Sequence, residues 1–270
     1  MSTENGTHAV NAIDPSNWFD VPLGVDMEGQ PIAIDLRETA HIEVSGSVGS
    51  GSTVTLRRIA FAALDHGHDV YWVDPGKAGI DVHDLADRLT SPVATDPFEA
   101  AALLRSVYEE KVRRHGLMGA EKLSHWTNLA TPLRPITVVL DLYSFLADKG
   151  LAGVEKTEED RARNEARKEA VFFAESLVRQ GRSAGIHLAV NTTQISHPFA
   201  ISSGIDAKVF LINRNVGQAP FSPSKVAGRT EADDTLGASL AESHPDARGN
   251  GLALLKRSGS PAVGIIVALD

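Results

Sequence analysis

The sequence predicts an α/β fold: a mainly parallel central sheet flanked by helices, with an antiparallel edge. Three observations carry that prediction. Short β-branched runs alternate with longer helical stretches along the chain, the pattern of strands joined by crossover helices. The run ITVVLDL (residues 136–142) is almost continuously apolar, as a parallel strand covered on both faces must be. The chain then closes with NGLALLKR and PAVGIIVALD on either side of Ser258-Gly259-Ser260, which reads as a hairpin and supplies the antiparallel edge.

Taken in order, IAIDL (32–36) and HIEVSG (41–46) read as strands. Residues 53–64 read as a helix, with Val54, Leu56, Ile59, Ala60, Ala63 and Leu64 as its apolar positions. DVYWVD (69–74) is a third strand, stopped by Pro75-Gly76. Residues 98–117 are helical, with Leu103, Leu104, Val107 and Val112 near one face, and Pro132 and Pro135 break the chain before the strand at 136–142. Residues 155–180 start as a loop and become a helix whose first half mixes charges, a solvated face. IHLAVNTT (186–193) and AKVFLINR (207–214) are further strands. Residues 216–250 are rich in Gly, Pro, Ser and Asp and read as loops, with one or two short helices around residues 232–242. The expected organisation is a flexible tail over residues 1–20 and one domain over residues 21–270.

Composition narrows the function. At 270 residues, 42% hydrophobic and 23% charged, the chain can bury a sizeable core. A net charge of -9 repels nucleic acid and anionic membranes overall, so any DNA contact needs a local basic patch. The absence of cysteine excludes disulfides, thiolate metal sites and cysteine nucleophiles. No run reaches the ~18 apolar residues of a membrane span. The start, MSTENGTHAVNAIDPSN, lacks the basic-then-apolar order of a signal peptide, so the expected location is the cytoplasm.

The chemistry concentrates at SGSVGSGST (45–53), between a strand and a helix. Glycines there let successive backbone N–H groups converge on phosphate oxygens, and the helix start adds partial positive charge. Gly46 and Gly51 have the spacing of G-x-x-x-x-G-K-[ST], and Thr53 sits where a hydroxyl would hold Mg2+. The same glycines would also serve a bare strand-to-helix turn. The lysine of that pattern is replaced by Ser52. A charge-assisted hydrogen bond of the kind lysine makes is worth roughly 1.5–3 kcal/mol in binding, and catalysis leans on it further. Arg57, Arg58 and Lys77 are the candidates to replace it, and the sequence does not place them. Asp141, at the end of a buried strand, is positioned to meet the metal, or simply to cap the next turn. Leu142 follows it, where a glutamate often polarises water, and leucine is no base.

Several ordered stretches resemble the motor domain of the FtsK/SpoIIIE family of DNA translocases. They are VPLGVDMEGQPIAIDL, SGSVGSGST, YWVDPGKAGIDV (with Gly76 inserted before Lys77), VATDPFEAAALLRSVYEEKVRRHGLM, ITVVLDLYSFL, RSAGIHLAVNTTQ and GNGLALLK. The resemblance runs from residue 21 to 256. It implies a RecA-like P-loop NTPase core, assembly as an oligomeric ring, ATP with Mg2+ at the subunit interface, and double-stranded DNA as partner. It further implies nucleotide contacts from Gly46, Gly49, Ser50, Gly51, Ser52, Thr53 and Val54, and Mg2+ at Thr53 and Asp141. Asp141, Gln194 as γ-phosphate sensor, and Arg182 facing a neighbour's nucleotide are its catalytic candidates. Ser52 and Leu142 depart from the family at the two groups hydrolysis needs most. Two readings follow: a DNA translocase-type subunit with impaired hydrolysis, or a pseudo-ATPase serving a ring as a structural or regulatory subunit.

Three other patterns are weaker. GRSAG (181–185) matches G-x-S-x-G, but a helix precedes Ser183 and a strand follows it, the reverse of a hydrolase elbow. DHGHD (65–69) alternates His66 and His68 with no third ligand nearby and reads as a surface loop. KVRRHG (111–116) is the densest basic cluster and reads as a solvated helix face, or as a contact to DNA phosphates or a neighbouring subunit.

Overall fold

In the computed structural model the described residues are 20–46, 49–147, 157–192, 201, 204–212, 230–244 and 251–267. Residues 1–19 of the tail expected at 1–20 and the candidate sensor Gln194 lie outside them, and Asp20 is already part of a strand.

Among the described residues nine strands form one sheet: β1 (Asp20–Asp26), β2 (Pro31–Asp35), β3 (His41–Ser45), β4 (Asp69–Val73), β5 (Ile136–Leu140), β6 (Ile186–Asn191), β7 (Ala207–Leu211), β8 (Leu252–Arg257) and β9 (Val263–Val267). Their order is β2-β1-β9-β8-β7-β3-β6-β5-β4. From β7 to β4 every pairing is parallel; from β7 to β2 every pairing is antiparallel. The parallel block with an antiparallel wing is the predicted architecture, and β3, β5, β6 and β7 are buried along their whole length, as two-sided cover requires.

The two faces are covered by different helices. Helix α1 (Ser52–Asp65) lays Leu56, Ile59, Ala60 and Ala63 on one face, against Val44, Trp72, Val139 and Val209. Helices α2 (Pro97–Ala120) and α4 (Glu158–Gln180) cover the other with Leu104, Val107, Ala170, Ala174 and Leu177, and a one-turn helix α3 (Ser144–Ala147) follows β5. Helix α5 (Glu231–Ser243) adds Ala241 against Phe210, Leu252 and Leu254. Asp96 caps α2 by accepting from the N–H groups of Phe98 and Glu99, with Pro97 in the first turn, and Thr157 and Asp160 form a capping box on α4.

Four sequence expectations change. Strand β1 is not marked by its residues, because Pro22 and Gly24 interrupt the alternation. The register shifts between them, and a Cβ on Gly24 would lie 1.9 Å from the Ile266 carbonyl oxygen. Strand β5 stops at Leu140 instead of running to Leu142, since Leu142 turns into the left-handed region at φ 54°. His68 is buried rather than exposed, its Nδ1 2.8 Å from Thr137 Oγ1. The basic cluster of α2 is a solvated face only in part: Arg113 is exposed, but Lys111 and Arg114 are not. Lys111 and Arg114 are each 3% exposed. Lys111 donates to Gln180 Oε1 at 2.7 Å and lies over the Tyr108 ring. Arg114 donates to the carbonyls of Ala184 (2.9 Å) and Arg134 (2.8 Å) and to Glu110 Oε1 (2.8 Å). These cations tie α2 to the junction between α4 and β6.

Candidate functional site

Parallel strands place their carboxyl ends on one rim, and the chemistry-bearing residues gather there. Strand β3 ends at Ser45, and Gly46 follows it. Gly46 must lack a side chain, because a Cβ would meet Ser50 Oγ at 2.2 Å. Gly49 (φ 78°) and Gly51 (φ 98°) take left-handed conformations that favour glycine. The space a Cβ would fill at Gly49 is open among the described residues. Ser47 and Val48, at the loop's middle, lie outside those residues.

Gly51 is the N-cap of α1, and no side chain caps that helix end. Its first turn therefore offers backbone N–H groups toward the rim, where the helix dipole favours an anion. Ser50 and Ser52 are buried, Thr53 is half-buried, and Val54 is exposed at 36% on the outer side.

Asp141, just past β5, is 1% exposed. Its Oδ2 accepts the Thr53 hydroxyl at 3.0 Å, and its Oδ1 accepts the Asn191 amide at 2.6 Å from the end of β6. Burial raises the Asp141 carboxyl above its ordinary value, the Asp74 charge adds to that, and the bonds from Asn191 and Thr53 and the Lys77 charge oppose it. A hydroxyl and a carboxylate in contact beneath a helix start are a donor set suited to a hard divalent cation beside a phosphate.

A third element reaches this rim. Asp74, buried at the end of β4, accepts from the N–H groups of Gly76 (3.3 Å), Lys77 (2.9 Å) and Gly79 (2.9 Å), which fixes the turn that follows. That turn delivers Lys77 Nζ to 3.2 Å from Thr53 Oγ1 and 2.7 Å from Asp81 Oδ2. Burial alone would lower the Lys77 ammonium's pKa, but Asp81, Asp141 and Asp74 together hold it above its usual value, so it stays charged. Of the three cations that could replace the missing lysine, only this one arrives. Arg57 forks onto Asp84 at 2.6 and 2.7 Å, and Arg58 donates to the Pro22 carbonyl.

The remaining candidates separate. Leu142 sits next to Asp141, half-buried, and presents no base. Arg182 lies in the turn before β6, at the opposite rim, and donates to the Arg37 carbonyl at 2.8 Å, so it does not join the site of its own chain. Ser183 is 3.0 Å from His115 Nε2, yet the helix-turn-strand order stands, and no carboxylate partner of His115 occurs among the described residues. No group of three or more His, Asp or Glu side chains suited to a metal occurs among the described residues, so from this chain a cation would be held by Thr53 and Asp141 alone.

The family described as FtsK/SpoIIIE matches residues 12–134, which include the glycine loop and Lys77. DNA translocase FtsK of Staphylococcus aureus is 27% identical over 248 residues, covering 84% of this chain. Over those stretches the chain is similar to the FtsK/SpoIIIE family. DNA translocase FtsK of Helicobacter pylori is 26% identical over 218 residues. The chain spans only 28% of the first of these relatives and 23% of the second. Among solved structures, the pCW3 conjugation coupling protein TcpA, in a monomer form with ATPgS, superposes with a TM-score of 0.72 at 23% identity, covering 95% of this chain and 67% of that one. The cytoplasmic domain of the type VII secretion ATPase EccC of Thermomonospora curvata superposes at 0.62 and 20% identity, covering 93% of this chain and 29% of that one. These likenesses show the fold, a RecA-like P-loop α/β fold. Among the described residues no helix is long and apolar enough to cross a membrane.

Proposed function

We propose that this FtsK/SpoIIIE-like chain binds ATP with Mg2+ at the head of α1 and acts on double-stranded DNA as a subunit of an oligomeric ring, with hydrolysis impaired. One observation carries the nucleotide reading: the 3.0 Å bond between Thr53 and Asp141 at a glycine-capped helix start. The amides of residues 49–54 would hold phosphate oxygens, while Thr53 and Asp141 would organise the cation. When bound, Mg2+ would neutralise phosphate charge; the chain's own part is to orient the nucleotide beneath it. Gln194 would sense the γ-phosphate, and Arg182, at the far rim, would serve a neighbour's nucleotide.

Double-stranded DNA and the ring are carried over from the DNA translocases to which the chain is similar. With Lys111 and Arg114 buried in internal bonds, DNA phosphates would have to be met elsewhere.

Leu142 supports a second reading, a pseudo-ATPase that stabilises or regulates a ring, because the group that would polarise water is a hydrocarbon. ATP turnover with and without double-stranded DNA separates the two. Slow turnover that DNA accelerates supports an impaired motor. No turnover in the native chain, with turnover gained by the Ser52→Lys, Leu142→Glu double variant, supports the pseudo-ATPase. Failure of Mg-ATP to raise the melting temperature would remove the nucleotide reading itself.

A further inference from the structure

We propose that Lys77, presented by the turn after β4, supplies to the nucleotide the positive charge that the glycine loop lost at Ser52. The inference rests on the nucleotide reading above and concerns the residue that completes that site.

The first argument is position. Lys77 Nζ lies 3.2 Å from the Thr53 hydroxyl, which itself donates to Asp141, so ammonium, hydroxyl and carboxylate form one chain at the helix start. A cation placed there is beside any phosphate that the α1 amides hold. The second is rigidity. The Asp74 carboxylate takes three backbone N–H bonds from the Lys77 turn, and Ala78 (φ 53°) and Gly79 (φ 72°) carry it through left-handed conformations. The turn therefore has one shape, and Lys77 needs only its own side-chain torsions to reach a ligand. The third is support from the other departure in this site. Leu142 lies against Gly76, close enough that a Cβ there would come within 2.7 Å of Leu142 Cδ1. The leucine that stands after Asp141 thus braces the turn that carries the lysine.

The competing explanation is a surface ion pair between Lys77 and Asp81, both about 40% exposed. Such a pair contributes ~0–1 kcal/mol and needs no ligand. It does not explain the contact with Thr53 or the tied turn. Asp81 holds the ammonium at the rim until a phosphate competes for it.

Equilibrium binding of a fluorescent ATP analogue with Mg2+ tests the idea without any turnover. It compares the native chain with Lys77→Gln, Lys77→Arg, Ser52→Lys, and Ser52→Lys combined with Lys77→Gln. Lys77→Gln is expected to weaken binding about tenfold or more, Lys77→Arg to retain most of it, and the combined variant to recover it because a cation returns to the loop. The melting temperature of Lys77→Gln without nucleotide should stay near native, which separates lost binding from lost folding. Affinity of Lys77→Gln within about twofold of native would overturn the proposal and leave the nucleotide site standing. A native chain that binds no nucleotide would overturn both.

Discussion

Thr53 and Asp141 are 88 residues apart in sequence and 3.0 Å apart in space. Helix α1 begins the residue before one, and β5 ends the residue before the other, so the two are brought together by the parallel pairing β3-β6-β5 that lies between. If this pair holds the cation, nucleotide binding should depend on Mg2+ through it. EDTA is expected to weaken binding of the fluorescent ATP analogue at least several-fold in the native chain. Asp141→Asn, which keeps the shape and removes the charge, should abolish that dependence. Titrations with and without Mg2+ check it, and an undiminished Mg2+ effect in Asp141→Asn would remove the pair from the site.

The basic cluster of α2 offers a sharper contrast between two neighbours. Arg114 is buried, with its guanidinium 5.8 Å from the Trp126 ring centre, and it satisfies the carbonyls of Ala184 and Arg134. Arg114→Ala would strand both carbonyls, while Glu110 keeps Arg113, and should cost ~3 kcal/mol of stability. Arg113 is 52% exposed and among the described residues bonds Glu110 alone, so Arg113→Ala should stay within ~0.5 kcal/mol of native. Urea unfolding of the two variants reads the difference. Equal losses would contradict the buried-clamp assignment.

That contrast also marks what the sequence could reveal. The strand-glycine-helix unit around residues 41–64, the apolar run of β5 and the closing hairpin are local patterns, and each appears where its residues predict it. Lys111 and Arg114 are three apart on a helix, a spacing that puts them on one face, but charge reads as solvent unless a partner is known. Those partners, Gln180 and Ala184, come from 69 and 70 residues away. The site divides the same way. Thr53 is proposed from the glycine motif and Asp141 from its strand end, and the structure puts the two in contact. Lys77 was one of three candidate cations, and only the β4-β5 pairing with the Asp74-bound turn selects it. Strand order is set by long-range pairing, so β1, broken by Pro22 and Gly24, gave no local sign of its place between β2 and β9.

Acid should weaken the fold through buried histidines. Burial pulls His41 down to about 4 from 6.5, and the nearby Arg182 charge adds to the effect. His187 is driven well below its ordinary value by burial and by the neighbouring His68 and His41. Both are therefore neutral in the fold but take up a proton near pH 6.5 when unfolded. The unfolded state binds more protons between those values, so stability is full above about pH 6.5 and falls as pH drops toward 4. For His41 alone the displacement corresponds to ~3 kcal/mol. Asp69 and Asp141, raised by burial, act in the opposite direction, taking up protons sooner in the fold as pH falls. Urea unfolding at pH 7 and pH 5 should show the loss, and His41→Gln should flatten it. Stability that is level between those pH values would contradict the neutral buried histidines.

Gly76, in the Lys77 turn, and Leu142, just past the end of β5, are close neighbours. A Cβ on Gly76 would lie 2.7 Å from Leu142 Cδ1 and 3.2 Å from two atoms of the Phe145 ring. Because Leu142 is held at φ 54°, its side chain has few ways to retreat. Gly76→Ala should therefore cost ~1–3 kcal/mol by overpacking. Leu142→Ala removes the obstructing methyl groups, so the double variant should lose less than the two single variants together, with a coupling of ~0.5 kcal/mol or more. The same cycle read by ATP-analogue affinity tests whether the leucine matters to the lysine: if Leu142 braces the Lys77 turn, Leu142→Ala alone weakens binding, and Gly76→Ala, which pushes the turn off the leucine, weakens it as well. Additive stability effects would mean the two residues are independent, and the glutamate position would then be merely vacated rather than put to structural use.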